Sequence, residues 1–425
     1  MSEIEKLIQE LCPEGVEFKK LGDTCYYPKA RIGSSFSINE KNYISTENLL
    51  KNKAGRTIAE NVPESSSLIE FISNDILIGN IRPYLKKIWI SDCNGGTNGD
   101  VLVIRRKDEF IDFIEPKFLF YILSSDSFFA FHNQYAKGAK MPRGDKKKVM
   151  DFEIPVPPLE VQQKIVEILD NFTSLTAELE AELEARKRQY EYYRNLLLTF
   201  NPVANGAVTG GDQQIGDGFT PPIKSLIIKY LSLGEMGTFI RGGGLQKSDF
   251  TTDGFPCIHY GQIHTFYKTY AYETISYTSN KLAAKLKHAK YGDLIIATTS
   301  EDVDGCCKAV AWLGGNEVAI SGDSYIFRHN QNPKYISYLF QTDMFLKYKR
   351  MAATGTKVTR VSGDSMKKFV FPIPPLDEQE RIVAILDSFE TLVNDLTAGL
   401  PAEIEARRKQ YEYYRNKLLT FKKIA

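Results

Sequence analysis

EARKRQYEYYRNLLLTF at residues 184–200 recurs as EARRKQYEYYRNKLLTF at 405–421, identical at 14 of 17 positions. Chance does not produce such a match, so the 425-residue chain is an internal duplication. Upstream, IPVPPLEVQQKIVEILDNF (154–172) recurs as FPIPPLDEQERIVAILDSF (371–389), displaced by 217 residues. The same displacement relates KFLFYIL (117–123) to KYISYLF (334–340), Lys137-Gly138 to Thr354-Gly355, Lys140 to Lys357 and Arg143 to Arg360. Between 24–116 and 236–333 the halves diverge. Each half is therefore a variable domain followed by a strongly repeated helical segment.

The helices follow from periodicity. Val161, Ile165, Ile168, Phe172, Leu175 and Leu179 step by four and three, as in a coiled-coil seam, and the steps resume through Tyr190, Tyr193, Leu197 and Phe200. Pro157-Pro158 marks the start and Asn201-Pro202 the stop, because proline is tolerated only in a helix's first turn. A run of this length is about 60 Å at about 1.5 Å per residue. The second seam runs through Ile382, Phe389, Leu392, Leu396, Ile404, Tyr411, Tyr414, Leu418 and Phe421. Its two motifs are displaced by 217 and then 221, so four residues have been inserted near Thr397–Pro401, where Gly399 and Pro401 predict a kink or break. Matching length and seams predict that the two helices pair with each other.

The expected organisation is a first domain over 1–153, a helix over 154–200, a linker over 201–222 rich in Gly, Asn, Asp and Pro, a second domain over 223–370 and a second helix over 371–425. Short β-type runs such as Ile76-Leu77-Ile78, Val101-Leu102-Val103-Ile104, Leu294-Ile295-Ile296 and Tyr325-Ile326-Phe327 precede helical patterns near 116–132 and 333–350. The predicted fold class is α+β, with two globular strand-rich domains, two long coiled-coil-like helices and an internal repeat.

Composition excludes several functions. No apolar stretch approaches a membrane span, and MSEIEKLIQELCPEG lacks a signal core, so a cytoplasmic protein is expected. The six cysteines show no metal-ligand spacing and read as free thiols; no metal and no cofactor is assigned. Arg241-Gly242-Gly243-Gly244 lacks the Lys-Ser/Thr of a phosphate loop, and no catalytic His or acid constellation is evident, so the chain reads as non-catalytic.

What remains is binding chemistry. The net charge is only +1, but 136–149 holds six basic residues against one acid and 347–360 holds five against none. Glycine-bounded basic loops suit close approach to a phosphate backbone. The candidates for DNA contact are Lys137, Lys140, Arg143, Lys357 and Arg360 in the paired loops, Arg82, Lys86 and Lys87 in NIRPYLKK, and Arg241, Gln246 and Lys247 in RGGGLQKSD. Asn98, His259, Tyr260 and Gln262 are possible base readers. Of the repeated tyrosines, Tyr190, Tyr193, Tyr411 and Tyr414 are candidates for partner binding, the alternative being that they pack on the neighbouring domain. A coiled-coil scaffold that binds protein and no nucleic acid, and a restriction enzyme with an unrecognised active site, stand as rival readings.

PVPPLEVQQKIVEILD and PIPPLDEQERIVAILD, each leading to an EAR-x-x-QYEYYRN-x-LLTF helix end, resemble the specificity subunits of type I restriction-modification systems, as do NIRPYLKK and GTKVTR in the flanking domains. The resemblance covers nearly the whole chain. It implies two target-recognition domains joined by two antiparallel helices about an approximate two-fold axis. Each domain would read one half of a split double-stranded DNA site, and the helices would set the unread spacer. Two methyltransferase subunits would modify adenine in each half-site, restriction-translocase subunits would cleave, and catalysis would belong to those partners. Because the variable domains differ, the expected target is asymmetric.

Overall fold

The computed structural model describes residues 3–33, 36–63, 67–200, 227–355, 358–395 and 397–424. The expected linker at 201–222, the seam residue Leu396 and the loop candidate Lys357 lie outside these residues. Two compact units form: Met1–Glu180 with Glu403–Ala425, and Ala181–Ala402.

In the first unit the apolar runs pair as an antiparallel sheet in the order Cys25–Tyr26, Val101–Arg106, Ile76–Gly79, Ile88–Ile90. Ile76–Gly79 is buried along its whole length, which explains its uninterrupted apolar sequence. A second, three-stranded sheet is ordered Tyr43–Ile44, Gly95–Thr97, Ile69–Phe71. The second unit repeats the first pattern with Ser324–His329, Leu294–Ala297 and Lys308–Trp312, flanked by Gly237–Arg241 and Tyr270–Ala271. Its other sheet is larger, with five strands where the first unit has three.

The helical patterns after each sheet are split in two. Pro116–Leu123 and Asp126–Gln134 are separated by Ser124-Ser125, whose Ser125 hydroxyl accepts from the Phe128 N–H. Pro333–Leu339 and Asp343–Ala352 are separated in the same way, with Thr342 capping Phe345. Each hydroxyl satisfies an orphan N–H of a new helix start.

The first long helix spans Leu159–Leu198, its start fixed by the two prolines. The segment from 154 to that start is not helical: Glu153–Val156 is a strand, antiparallel to Glu17–Lys20, and Val370–Ile373 pairs likewise with Lys229–Ser232. Pro155 and Pro372 are tolerated because each sheet has only two strands and so an open outer edge. The second helix is broken as Gly399 and Pro401 predicted, into Leu376–Asn394 and Leu400–Leu418.

The helices are shared between the units rather than standing apart as separate segments. Val161, Ile165 and Leu169 of the first helix and Leu418 of the second are buried in the first unit's core. Ile382, Leu386 and Val393 join Tyr190 and Leu198 in the second unit's core. Within the first unit Phe172 stacks on Tyr414 at 5.4 Å and Glu180 meets Arg408, so partner numbers fall as chain numbers rise and the pair is antiparallel. In the second unit Tyr193 stacks on Phe389 at 5.5 Å.

A repeated glutamine fastens each helix to its domain. Gln162 Oε1 accepts from the Glu115 N–H at 2.9 Å, and its Nε2 donates to the carbonyls of Phe113 and Pro157 at 2.8 and 2.7 Å. Gln379 Oε1 accepts from the Asn332 N–H at 3.0 Å, and its Nε2 donates to Gln331 Oε1 and the Pro374 carbonyl, each at 2.8 Å. Beside them Asp170 takes Lys117 and Tyr121, and Asp387 takes Lys334 and Tyr338.

Candidate nucleic-acid interface

The two basic loops are closed by the same bonds. In the first unit Lys137 N–H donates to the Arg143 carbonyl and Arg143 N–H to the Lys137 carbonyl, both at 2.9 Å. In the second, Thr354 and Arg360 exchange identical bonds at 2.9 Å. Gly138 and Gly355 open these loops with φ of +109° and +102°, a conformation L side chains rarely adopt. The loops are also seated alike. Gly144 N–H donates to the Asn80 carbonyl at 3.0 Å, and Val361 N–H to that of Thr298 at 3.3 Å, each at the end of a central buried strand.

The two glycines differ in what surrounds them. A Cβ at 355 would stand 2.2 Å from the Val358 carbonyl oxygen, whereas at 138 the nearest atom is 3.4 Å away. Gly355→Ala is expected to cost about 2 kcal/mol locally and to raise amide exchange at Thr354 and Arg360, with a smaller effect from Gly138→Ala. Equal protection in both variants would contradict this loop geometry.

Around the first loop the fold gathers exposed cations from separate stretches. Arg82, in the left-handed region at φ 52°, donates its N–H to the Pro142 carbonyl at 2.7 Å. Arg143 reaches Asp100 at 3.0 Å, Lys146 reaches the Gly99 carbonyl at 3.2 Å, and Lys137 lies 3.7 Å from Asp145. Lys140 is exposed at the tip. Asn98 adjoins this group, accepting from the Asp100 N–H and donating to the Tyr43 hydroxyl.

Lys86 and Lys87 do not belong to this face. Lys86 pairs with Asp126 at 2.8 Å, beside Lys53 at 2.9 Å and Arg415 at 3.1 Å, and Lys87 donates to the Thr46 carbonyl. Nothing in NIRPYLKK tells its arginine from its lysines; the chain's turn through left-handed Arg82 and Lys86 separates them.

In the second unit Arg360 is exposed on the loop and has no carboxylate partner among the described residues. A cavity of about 460 Å³ is lined by Arg241, Gly242–Gly244, Gln246, His259, Tyr260 and Asp323. Thr298 links cavity and loop: its N–H donates to the Asp323 carbonyl at 3.0 Å while its own carbonyl takes Val361. Arg241 Nε donates to the Gly322 carbonyl at 3.2 Å. Burial, and then Lys247 nearby, lowers the His259 pKa, leaving a neutral ring at neutral pH. Lys247 is exposed, but Gln262 is occupied internally, accepting from His259 N–H and donating to Ser276. Of the residues nominated here, the fold brings Arg241, Gln246, His259 and Tyr260 together and leaves Gln262 to support the turn.

The four nominated tyrosines point inward. Tyr190 is buried, Tyr193 and Tyr414 stack on Phe389 and Phe172, and Tyr411 packs on the first core. The outward rings are Tyr192 and Tyr413, 49% and 62% exposed at equivalent positions. The seam steps already set these two off the packing stripe. Among the described residues no three His, Cys, Asp or Glu side chains are arranged to hold a metal, and no helix is long and apolar enough to cross a membrane.

The duplicated chain has known counterparts. A putative type I restriction enzyme specificity subunit of Haemophilus influenzae is 31% identical over 76% of this chain and 76% of its own. The specificity subunit of the Escherichia coli EcoR124I/EcoR124II type I restriction enzyme is 32% identical over 64% of each chain. Among solved structures, one described as showing complex assembly and conformational transition of a type I R-M system aligns with a TM-score of 0.59 at 20% identity, covering 95% of this chain and 97% of that one. The HsdS subunit of Thermoanaerobacter tengcongensis aligns at 0.50 and 20% identity over 96% and 97%. Residues 13–186 and 228–406 each match the type I restriction modification DNA specificity domain, so the duplicated chain belongs to the family of type I restriction-modification specificity subunits.

Proposed function

We propose that this chain is a non-catalytic, cytoplasmic subunit that reads a split, asymmetric double-stranded DNA target and brings two adenine methyltransferase subunits to it, with restriction subunits joining for cleavage. The observation that carries this reading is the basic loop, built by the same reciprocal hydrogen bonds at the same place in both units. Lys140, Arg143 and Arg360 on these loops neutralise phosphates. Arg82 and Asn98 in one unit, and Arg241, Gln246, His259 and Tyr260 in the other, face the bases. Three strands against five in the secondary sheets supports two unlike half-sites. The paired helices set the spacer, and the exposed Tyr192 and Tyr413 offer rigid aromatic area to partner subunits.

Duplex affinity measured against salt tests the reading. A steep fall with rising salt is expected, and Arg143→Ala and Arg360→Ala should each lower the logarithmic slope by about 1. Affinity indifferent to salt would instead favour a protein-binding scaffold.

A further inference from the structure

Cys306 and Cys307 are adjacent in sequence and fully buried, with sulfurs 3.9 Å apart. They are the cysteine sulfurs in mutual contact among the described residues. Cys307 is held in the left-handed region at φ 59°, a conformation that non-glycine residues rarely adopt and that persists only where the surroundings enforce it. The Cys306 thiol donates to the Thr298 carbonyl at 3.1 Å and lies 3.9 Å from that of Thr359. Those are the strand end that seats the second basic loop and the residue beside Arg360. The thiol pair therefore sits directly beneath the second unit's DNA-facing loop.

We propose that Cys306 and Cys307 form a vicinal disulfide on oxidation by a peroxide, and that the disulfide unseats the loop carrying Arg360. The Cys307 thiol, hydrogen-bonding to Cys306, and the nearby Lys349 ammonium lower the Cys306 pKa, which favours the nucleophilic thiolate there. Cys307 is pushed the opposite way, first by its hydrogen bond with Cys306 and then by burial, and burial raises the remaining cysteines, Cys25 and Cys257 to about 11. Both thiols are buried, and their chain neighbours Asp304 and Lys308, with Lys349, line an open cleft of about 1050 Å³ from which a small peroxide would reach them on local opening.

The chemistry balances. The Cys306 thiolate attacks one peroxide oxygen, the O–O bond breaks, and after protonation a sulfenic acid and water result. The Cys307 thiol then attacks the Cys306 sulfur, forming S–S as S–O breaks and a second water leaves. Two thiols lose two electrons in all, and one peroxide becomes two waters. Cys306 thereby gives up its S–H bond to Thr298, the residue that also receives Val361.

The effect on DNA rests on the function proposed above, but the disulfide does not. Native full-length protein treated with hydrogen peroxide should lose about 2 Da, located by peptide mapping to 306–307 and restored by dithiothreitol. Amides at 359–361 should then exchange faster, and affinity for a mixed-sequence duplex should fall by about tenfold. Cys306→Ser, which keeps a donor for Thr298, should bind duplex like the untreated protein and ignore peroxide. A mass loss at another cysteine pair, or a 306–307 disulfide with unchanged exchange at 359–361, would overturn the proposal. Failure of the reduced protein to bind duplex would count against the proposed function alone.

Discussion

Gln162→Leu is expected to lower the stability of the first unit by about 3 kcal/mol, and Gln379→Leu that of the second by a similar amount. Each glutamine is 0% exposed and makes three hydrogen bonds. Leucine has a similar volume, so the loss is of polar partners rather than packing. It removes the partner of the Glu115 N–H and of two carbonyls in the first unit, and of the Asn332 N–H and the Pro374 carbonyl in the second, the Pro157 and Pro374 bonds being buried. The neighbouring Gln163 is exposed, and Gln163→Leu should stay within about 0.5 kcal/mol. Amide exchange under native conditions assigns each loss to its unit; equal effects at 162 and 163 would mean that the buried bonds do not hold the helix start.

Asp126→Ala should cost the first unit about 3 kcal/mol. Arg415, only 2% exposed, loses its carboxylate partner, and Lys53 and Lys86 are left facing one another. Asp126 is itself half exposed, so the loss stays at the low end of the range for buried pairs. Partial burial works to raise the Asp126 carboxyl, but hydrogen bonds from Lys86 and Lys53 outweigh it and hold the group well below the usual carboxylate range. A depressed carboxyl contributes stability that is complete above its unfolded pKa, near 3.9, and disappears as pH falls through the folded value. The gap between wild type and Asp126→Ala should therefore be constant above about pH 5 and close on acidification. The equivalent Asp343 has no cation partner among the described residues, and Asp343→Ala should cost less than about 1 kcal/mol.

The contrast between those two positions shows what the sequence could and could not convey. Asp126 and Asp343 are aligned by the repeat, as are Arg415 and Arg194, yet only the first pair meets. In the second unit the Asn195 side chain accepts from the Asp343 N–H, and Arg194 lies over Tyr190 at 5.3 Å. Periodicity revealed the helices, their pairing and the break near Gly399, because apolar spacing and helix breakers are local signals, whereas the antiparallel direction was implied only by the family resemblance. The strands Glu153–Val156 and Val370–Ile373 were hidden in proline-rich stretches whose partners lie over a hundred residues upstream. The basic loops were visible as charge, and their reciprocal closure explains why Gly138 and Gly355 recur. Which cations share a face was not visible, because that depends on left-handed turns at Arg82 and Lys86 and on an ion cluster assembled from four distant stretches.

Each unit is proposed to read its own half of one DNA target. The most direct test is to exchange residues 24–150 for those of a relative, co-express the chimera with the proposed adenine methyltransferase partner, and sequence the methylated sites. A split motif is expected in which one half-site changes and the other is kept. A change in both halves together, or methylation that persists when the chain is deleted, would contradict it.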